Sequence, residues 1–155
     1  MTNDDSDFPV PALLWGIRES FVTYVAALGT IAVHPPATEH SASLWRFPLY
    51  ENRGNALRFS GRVDFLAHDG LLALTIEDPW LEGGATTDAP RRLTIRDPHA
   101  TDDSGARVVV ATVSLAGETT LADEGAFLFD FRYPAGAALS PVRTENLPLV
   151  SWPHD

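Results

Sequence analysis

At 155 residues the chain fits one domain and can bury roughly two thirds of the surface its unfolded form exposes. Its 21 Asp and Glu against 11 Lys and Arg leave a net charge of -10, which excludes the basic footprint that nucleic acid or an anionic membrane surface requires. There is no cysteine, so disulfides, thiolate nucleophiles and Cys-ligated metal sites are excluded as well.

"MTNDDSDF" (residues 1–8) is polar and acidic, with no basic region and no apolar run of signal-peptide type. It predicts a disordered lead-in to a single domain over 9–155, and a cytoplasmic chain. No stretch approaches the ~18 apolar residues of a membrane span, so membrane insertion is not expected. Pro11 suits the first turn of a helix, and Leu14, Ile17, Phe21, Tyr24, Val25 and Leu28 then follow the i, i+3, i+4 spacing of one helical face. Gly29 closes that helix. "HPPATEHS" (34–41) reads as a loop.

The rest reads as strands. "ALRFSGRVDF" (56–65) sets Leu57, Phe59, Gly61, Val63 and Phe65 against Arg58, Ser60, Arg62 and Asp64. "LLALTIEDP" (71–79) alternates in the same way through Leu72, Leu74 and Ile76, and "AHDG" (67–70) between the two carries the Asp-Gly signal of a hairpin. "LEGGATTDAP" and "DPHATDDSG" read as surface loops, "RVVVATVSL" (107–115) as a Val-rich strand. "AFLFDFRY" (126–133) reads as a strand with Phe127, Phe129, Phe131 and Tyr133 on its inner side. Many strands and one helix predict a mainly β protein of α+β composition: antiparallel β-sandwich or barrel-like sheets with an N-terminal amphipathic helix. No repeat or linker divides it.

No nucleophile elbow, phosphate loop, zinc-protease motif or dinucleotide fingerprint is present, and the five histidines lack metal-ligand spacing. Asp102 and Asp103 read as a solvated surface pair. The chain is therefore read as a non-enzyme. One feature stands out: a helix carrying Ser20 and Tyr24 at i, i+4 puts a hydroxyl and a phenol on one apolar face. Periodicity alone favours a core tyrosine bonded to backbone and a serine bonded to its own helix. His68 reads equally as a turn residue and Tyr133 as one more core aromatic.

"LLWGIRESFVTYV" resembles the opening signature of the HtaA-type haem-binding domain of Gram-positive haem-uptake proteins, through Trp15, Gly16, Ile17, Arg18, Ser20, Phe21, Tyr24 and Val25. A second block is similar to the family's strand–hairpin–strand, through His68, Gly70, Leu72, Leu74, Thr75, Ile76, Asp78 and Pro79. A third, "FRYPAGAALSPV", resembles the family's C-terminal element through Tyr133, Gly136, Leu139, Pro141 and Val142. The blocks lie in family order and span about residues 13–142.

The resemblance implies a domain that binds ferric haem b with a tyrosine as axial ligand, for transport, storage or buffering of haem. Tyr24 would be the iron ligand and His68 its hydrogen-bond partner. Ser20 would sit near a propionate and Tyr133 in the same pocket. Phe21 would be an apolar wall, and Arg18 would offset the propionate charge. Another haem-carrying protein is the partner this role implies. The chemistry is coherent, because a phenolate is a hard anionic donor suited to Fe(III) and a histidine N–H can hold it in place. A free phenol ionises near ~10, so metal charge and a donated hydrogen bond must stabilise the anion. The rival readings are a same-fold module holding another flat apolar molecule, a protein-interaction domain without a small ligand, and an enzyme acting on haem.

Overall fold

A computed structural model describes residues 10–41, 43–53, 55–68, 72–83, 90–100, 105–114, 116–129 and 132–146. The expected lead-in at 1–8 and the Asp69-Gly70 hairpin tip lie outside these residues. The architecture is mainly β, as expected: a curled antiparallel half-barrel. In chain order the elements are β1 (Ala12–Trp15), α1 (Glu19–Leu28), β2 (Gly29–His34), β3 (Thr38–Ser41), β4 (Leu44–Asn52), β5 (Ala56–Phe59), β6 (Arg62–Ala67) and β7 (Leu72–Glu77). They continue with β8 (Trp80–Glu82), β9 (Arg91–Arg96), β10 (Arg107–Val113), β11 (Thr119–Leu121), α2 (Asp123–Leu128), β12 (Ala138–Leu139) and β13 (Arg143–Glu145).

Among the described residues the strands form two sheets. A ten-stranded sheet runs β12-β11-β10-β9-β8-β5-β4-β1-β13, with β3 also paired to β4, and a three-stranded sheet runs β2-β6-β7. Between them lies a core that includes Trp15, Phe21, Trp45, Phe47, Phe59, Phe65, Leu74, Ile76 and Phe129, each no more than 2% exposed. No helix among the described residues is long and apolar enough to cross a membrane.

The expected first helix is shorter than its apolar pattern. Ala12–Trp15 is a strand, with Leu13 paired to Phe47 and Trp15 to Trp45. Ala12, Leu13 and Trp15 are all fully buried, so both faces of the strand are covered and its apolar run mimics helical spacing. The chain then kinks at Ile17, whose φ of 64 is a left-handed conformation costly to a β-branched residue. Two bonds hold the kink: Ser140 N–H donates to Ile17 O at 2.9 Å, and the Trp15 indole N–H donates to Ser140 O at 2.8 Å. Arg18 follows in extended backbone, and α1 starts at Glu19 with Phe21, Val22 and Val25 buried.

Gly29 does end α1, for a different reason. Its backbone is extended, and a Cβ there would stand 1.8 Å from Leu66 O, because β2 starts at once against β6. The loop expected at 34–41 contains β3, since Thr38 and Glu39 pair with Arg46 and Trp45 of β4. The alternating run 56–65 keeps its inside–outside phase but is two strands in two sheets. The break is Gly61, with φ of 126 and an ideal Cβ only 2.5 Å from that of Ala37, a position open to glycine alone.

The strand expected at 126–133 is not one over its described residues. Asp123–Leu128 forms α2, and the pattern inverts: Phe127 is 57% exposed while Leu128 is buried. Asp123 and Glu124 in the first turn suit the positive end of the helix, and the Glu124 carboxylate accepts the Val109 N–H at 2.6 Å. Ala126, Leu128 and Phe129 then turn inward. A periodicity of two in a short apolar run cannot separate strand from helix when tertiary packing chooses the buried side.

The outer face of the three-stranded sheet carries a polar network on Asp64. Its carboxylate accepts from Arg62 Nε at 2.9 Å, Thr75 Oγ1 at 2.8 Å and His34 Nε2 at 2.9 Å. Partial burial works to raise the Asp64 carboxyl, but the hydrogen bonds from Arg62, Thr75 and His34, with the Arg62 charge, outweigh it and hold it below its ordinary value. A carboxyl lowered in the folded state adds stability above its unfolded value near ~3.9 and loses it as the pH falls through the folded one. Asp64→Asn should therefore cost about 1–2 kcal/mol at pH 7. In urea denaturation the gap to wild type should narrow below about pH 4; a pH-independent gap would remove the charge from the explanation.

Candidate functional site

The register of β2 on β6 assembles the site. Gly29 pairs with Ala67, so the end of α1 and the end of β6 lie side by side. Tyr24 sits just over one turn before the end of α1, and His68 is the first residue beyond β6. His68 has φ of 55, a left-handed conformation that histidine tolerates better than most residues and that turns the chain back here. Tyr24 Oη and His68 Nε2 are hydrogen-bonded to each other. Their ring centroids are 5.6 Å apart with the planes at 57°. Tyr24 is half-buried and His68 exposed, so the pair lies at the surface.

The segment after α2 adds the second half. Arg132 places its guanidinium carbon 4.9 Å from the centroid of the Tyr24 ring. Half-buried Tyr133 packs edge-on against Phe129 at 5.7 Å, and the Arg18 guanidinium covers its ring at 4.3 Å. Arg18 also donates to Ser20 Oγ at 3.1 Å and to the carbonyl of Ala138. Two contact groups result, Tyr24 with His68 and Arg132, and Tyr133 with Arg18 and Ser20, joined along the chain through Arg132 and Tyr133 and through α1. In a chain of net charge -10 these groups bring two arginines to the two tyrosine rings.

Of the residues singled out in the sequence, Tyr24 and His68 are in direct contact, and Arg18, Ser20 and Tyr133 form a second contact group. Phe21 belongs to neither. It is fully buried, with ring centroids 5.6 Å from Phe65 and 5.0 Å from Phe129, and it supports α1 from the core side. The residue expected as an apolar wall lies in the core, whereas Tyr24 on the same helix is half-buried. Arg132 was missed. Alternation along 126–133 assigns it only to the side opposite Tyr133, and its contact with Tyr24 arises from a turn that strand reading cannot supply.

Clefts lined by described residues also lie elsewhere. One of about 470 Å³ is lined by Gly16, Glu19, Ser43, Leu44, Ser140 and Arg143, and one of about 270 Å³ by Asn55, Arg58, Trp80, Glu82 and Arg92 among others. Neither includes Tyr24 or His68. Tyr24 and Tyr133 are each half-buried, with a guanidinium over the ring, so each phenol retains an accessible part.

The sequence model of the HtaA family (Htaa) matches residues 11–145. The chain belongs to the HtaA family. Among solved structures, this HtaA domain is similar to the N-terminal domain of HtaA from Corynebacterium glutamicum at 22% identity, with a TM-score of 0.66 over 88% of this chain and 95% of that one. The haem-binding protein HtaB of the same organism is similar at 18% identity and a TM-score of 0.64, over 88% and 97% of the two chains. The C-terminal domain of HtaA gives 17% identity and a TM-score of 0.58, over 86% and 93%. These likenesses establish the fold. No curated protein matches the sequence.

Proposed function

We propose that this domain binds ferric haem b with the Tyr24 phenolate as axial ligand, His68 as the hydrogen-bond donor that orients it, and Arg18, Ser20 and Tyr133 beside the propionate edge. The single observation carrying the reading is the Tyr24–His68 hydrogen bond at the surface, with a guanidinium over the Tyr24 ring. A bare cation calls for several protein donors, whereas iron already held in a porphyrin needs only one or two axial ones. A lone phenol with a partnered oxygen fits the second case. A phenolate is a hard oxygen donor and prefers Fe(III), and the imidazole N–H offsets part of its negative charge. The haem would supply an iron centre and a flat apolar surface. The protein supplies the oxygen, its orientation and the opposing charge. HtaB, similar in fold, is a haem-binding protein, which agrees with this reading.

The ligand pair lies at the surface, with His68 exposed and Tyr24 half-buried, which suits a haem that arrives and leaves; carriage, storage or buffering, with transfer to or from another haem-carrying protein, is favoured over catalysis. Titration of haemin into the purified protein should give a saturable Soret band with high-spin ferric tyrosinate features. A purely linear, unsaturable rise in absorbance would sink the reading. His68→Ala should weaken binding about 10- to 100-fold, as loss of a residue orienting a metal ligand commonly does. If that variant matched wild type in both affinity and spectrum, His68 would be reduced to a turn residue.

A further inference from the structure

We infer that, with Tyr24 as the iron ligand proposed above, Arg132 is its charge partner, a positioning residue that acts on the iron through the phenol. His68 meets Tyr24 at the oxygen, while Arg132 meets it at the ring face, 4.9 Å from the centroid. The two contacts use different parts of one side chain and do not compete. A guanidinium over a phenol ring is attracted to the π-face of the neutral form, and more strongly to the phenolate, whose charge is delocalised into the ring.

Among the described residues the Arg132 side chain is placed against the Tyr24 ring, and its backbone is held separately, the Arg132 N–H donating to Phe129 O at 3.1 Å. Arg18, the other arginine of the pair, is engaged with Tyr133, Ser20 and the Ala138 carbonyl. The two arginines therefore divide the work, Arg18 holding the Tyr133 side and Arg132 facing the ligand. A cation beside the phenolate lowers its donor strength and opposes extra positive charge on the iron. Removing it should pull the phenolate-to-iron charge-transfer band to lower energy and make ferric haem harder to reduce.

The test uses the full chain in three forms, wild type, Arg132→Met and Arg132→Lys, each loaded with haemin. Arg132 is exposed, so the fold should survive both changes, and unchanged far-ultraviolet circular dichroism checks this. Arg132→Met should bind haemin about three- to tenfold more weakly, shift the charge-transfer band to longer wavelength and lower the reduction potential. Arg132→Lys should recover most of all three, since the charge remains. An Arg132→Met protein identical to wild type in band position and potential overturns the inference while leaving Tyr24 as ligand intact. So does an Arg132→Lys protein as impaired as Arg132→Met, which would make shape and not charge the cause. Failure of wild type itself to bind haemin saturably overturns the ligand assignment, and the role of Arg132 with it.

Discussion

Tyr24→Ala should lose saturable haemin binding, with affinity falling at least about a hundredfold and the tyrosinate features gone from the spectrum. The expectation follows from the pairing: among the described residues Tyr24 is the phenol whose oxygen meets a histidine, so its removal takes away the donor and the partner's hold on it together. Tyr24→Phe is the sharper form of the test. It keeps the ring on which Arg132 rests and deletes only the oxygen that meets His68. Both variants should fold, because Tyr24 is half-buried at the rim and outside the central core. Soret titration and the charge-transfer region report the result directly. Tyrosinate features surviving in Tyr24→Phe would move the ligand to another residue, with Tyr133 first in line.

Phe21→Ala should destabilise the domain by about 3–5 kcal/mol, the usual cost of emptying a large buried aromatic site. Its ring is fully buried and packs edge-on against Phe65 and Phe129, which come from β6 and from the end of α2. The cavity would open where three elements meet, with few neighbours free to collapse into it. Urea denaturation at neutral pH measures the loss. Haemin affinity of the fraction that remains folded should change far less than in Tyr24→Ala. The opposite pattern, little loss of stability with strongly weakened binding, would restore Phe21 as a ligand wall and refute its placement as a packing residue.

The fold class was legible because alternation is robust where one face of a strand is buried and the other wet. In β6 and β7, Val63, Phe65, Leu72, Leu74 and Ile76 all face inward as their spacing demands. It failed where that condition fails. β1 is covered on both faces, so its apolar run passed for the first turns of a helix. The phenylalanines of 126–129 alternate by coincidence of composition, and a short helix buries Leu128 and Phe129 while leaving Phe127 out. The strands at β3 and β4 were obscured by a loop-like composition around Pro35 and Pro36 and by Pro48 within β4.

The candidate site divides along the same line. By itself the sequence determined the residue types: an i, i+4 serine and tyrosine on one helix, a histidine after an alternating strand, and three blocks in the order of the HtaA family. Those are local facts, set by spacing along a single element. Only the tertiary structure decided which of them meet. The pairing of Gly29 with Ala67 carries His68 to Tyr24, and the turn after α2 brings Arg132 over the same ring. Contacts between residues 44 and more positions apart depend on strand register and on which side a helix buries. Both are settled by packing of the whole core, which no single stretch of sequence encodes.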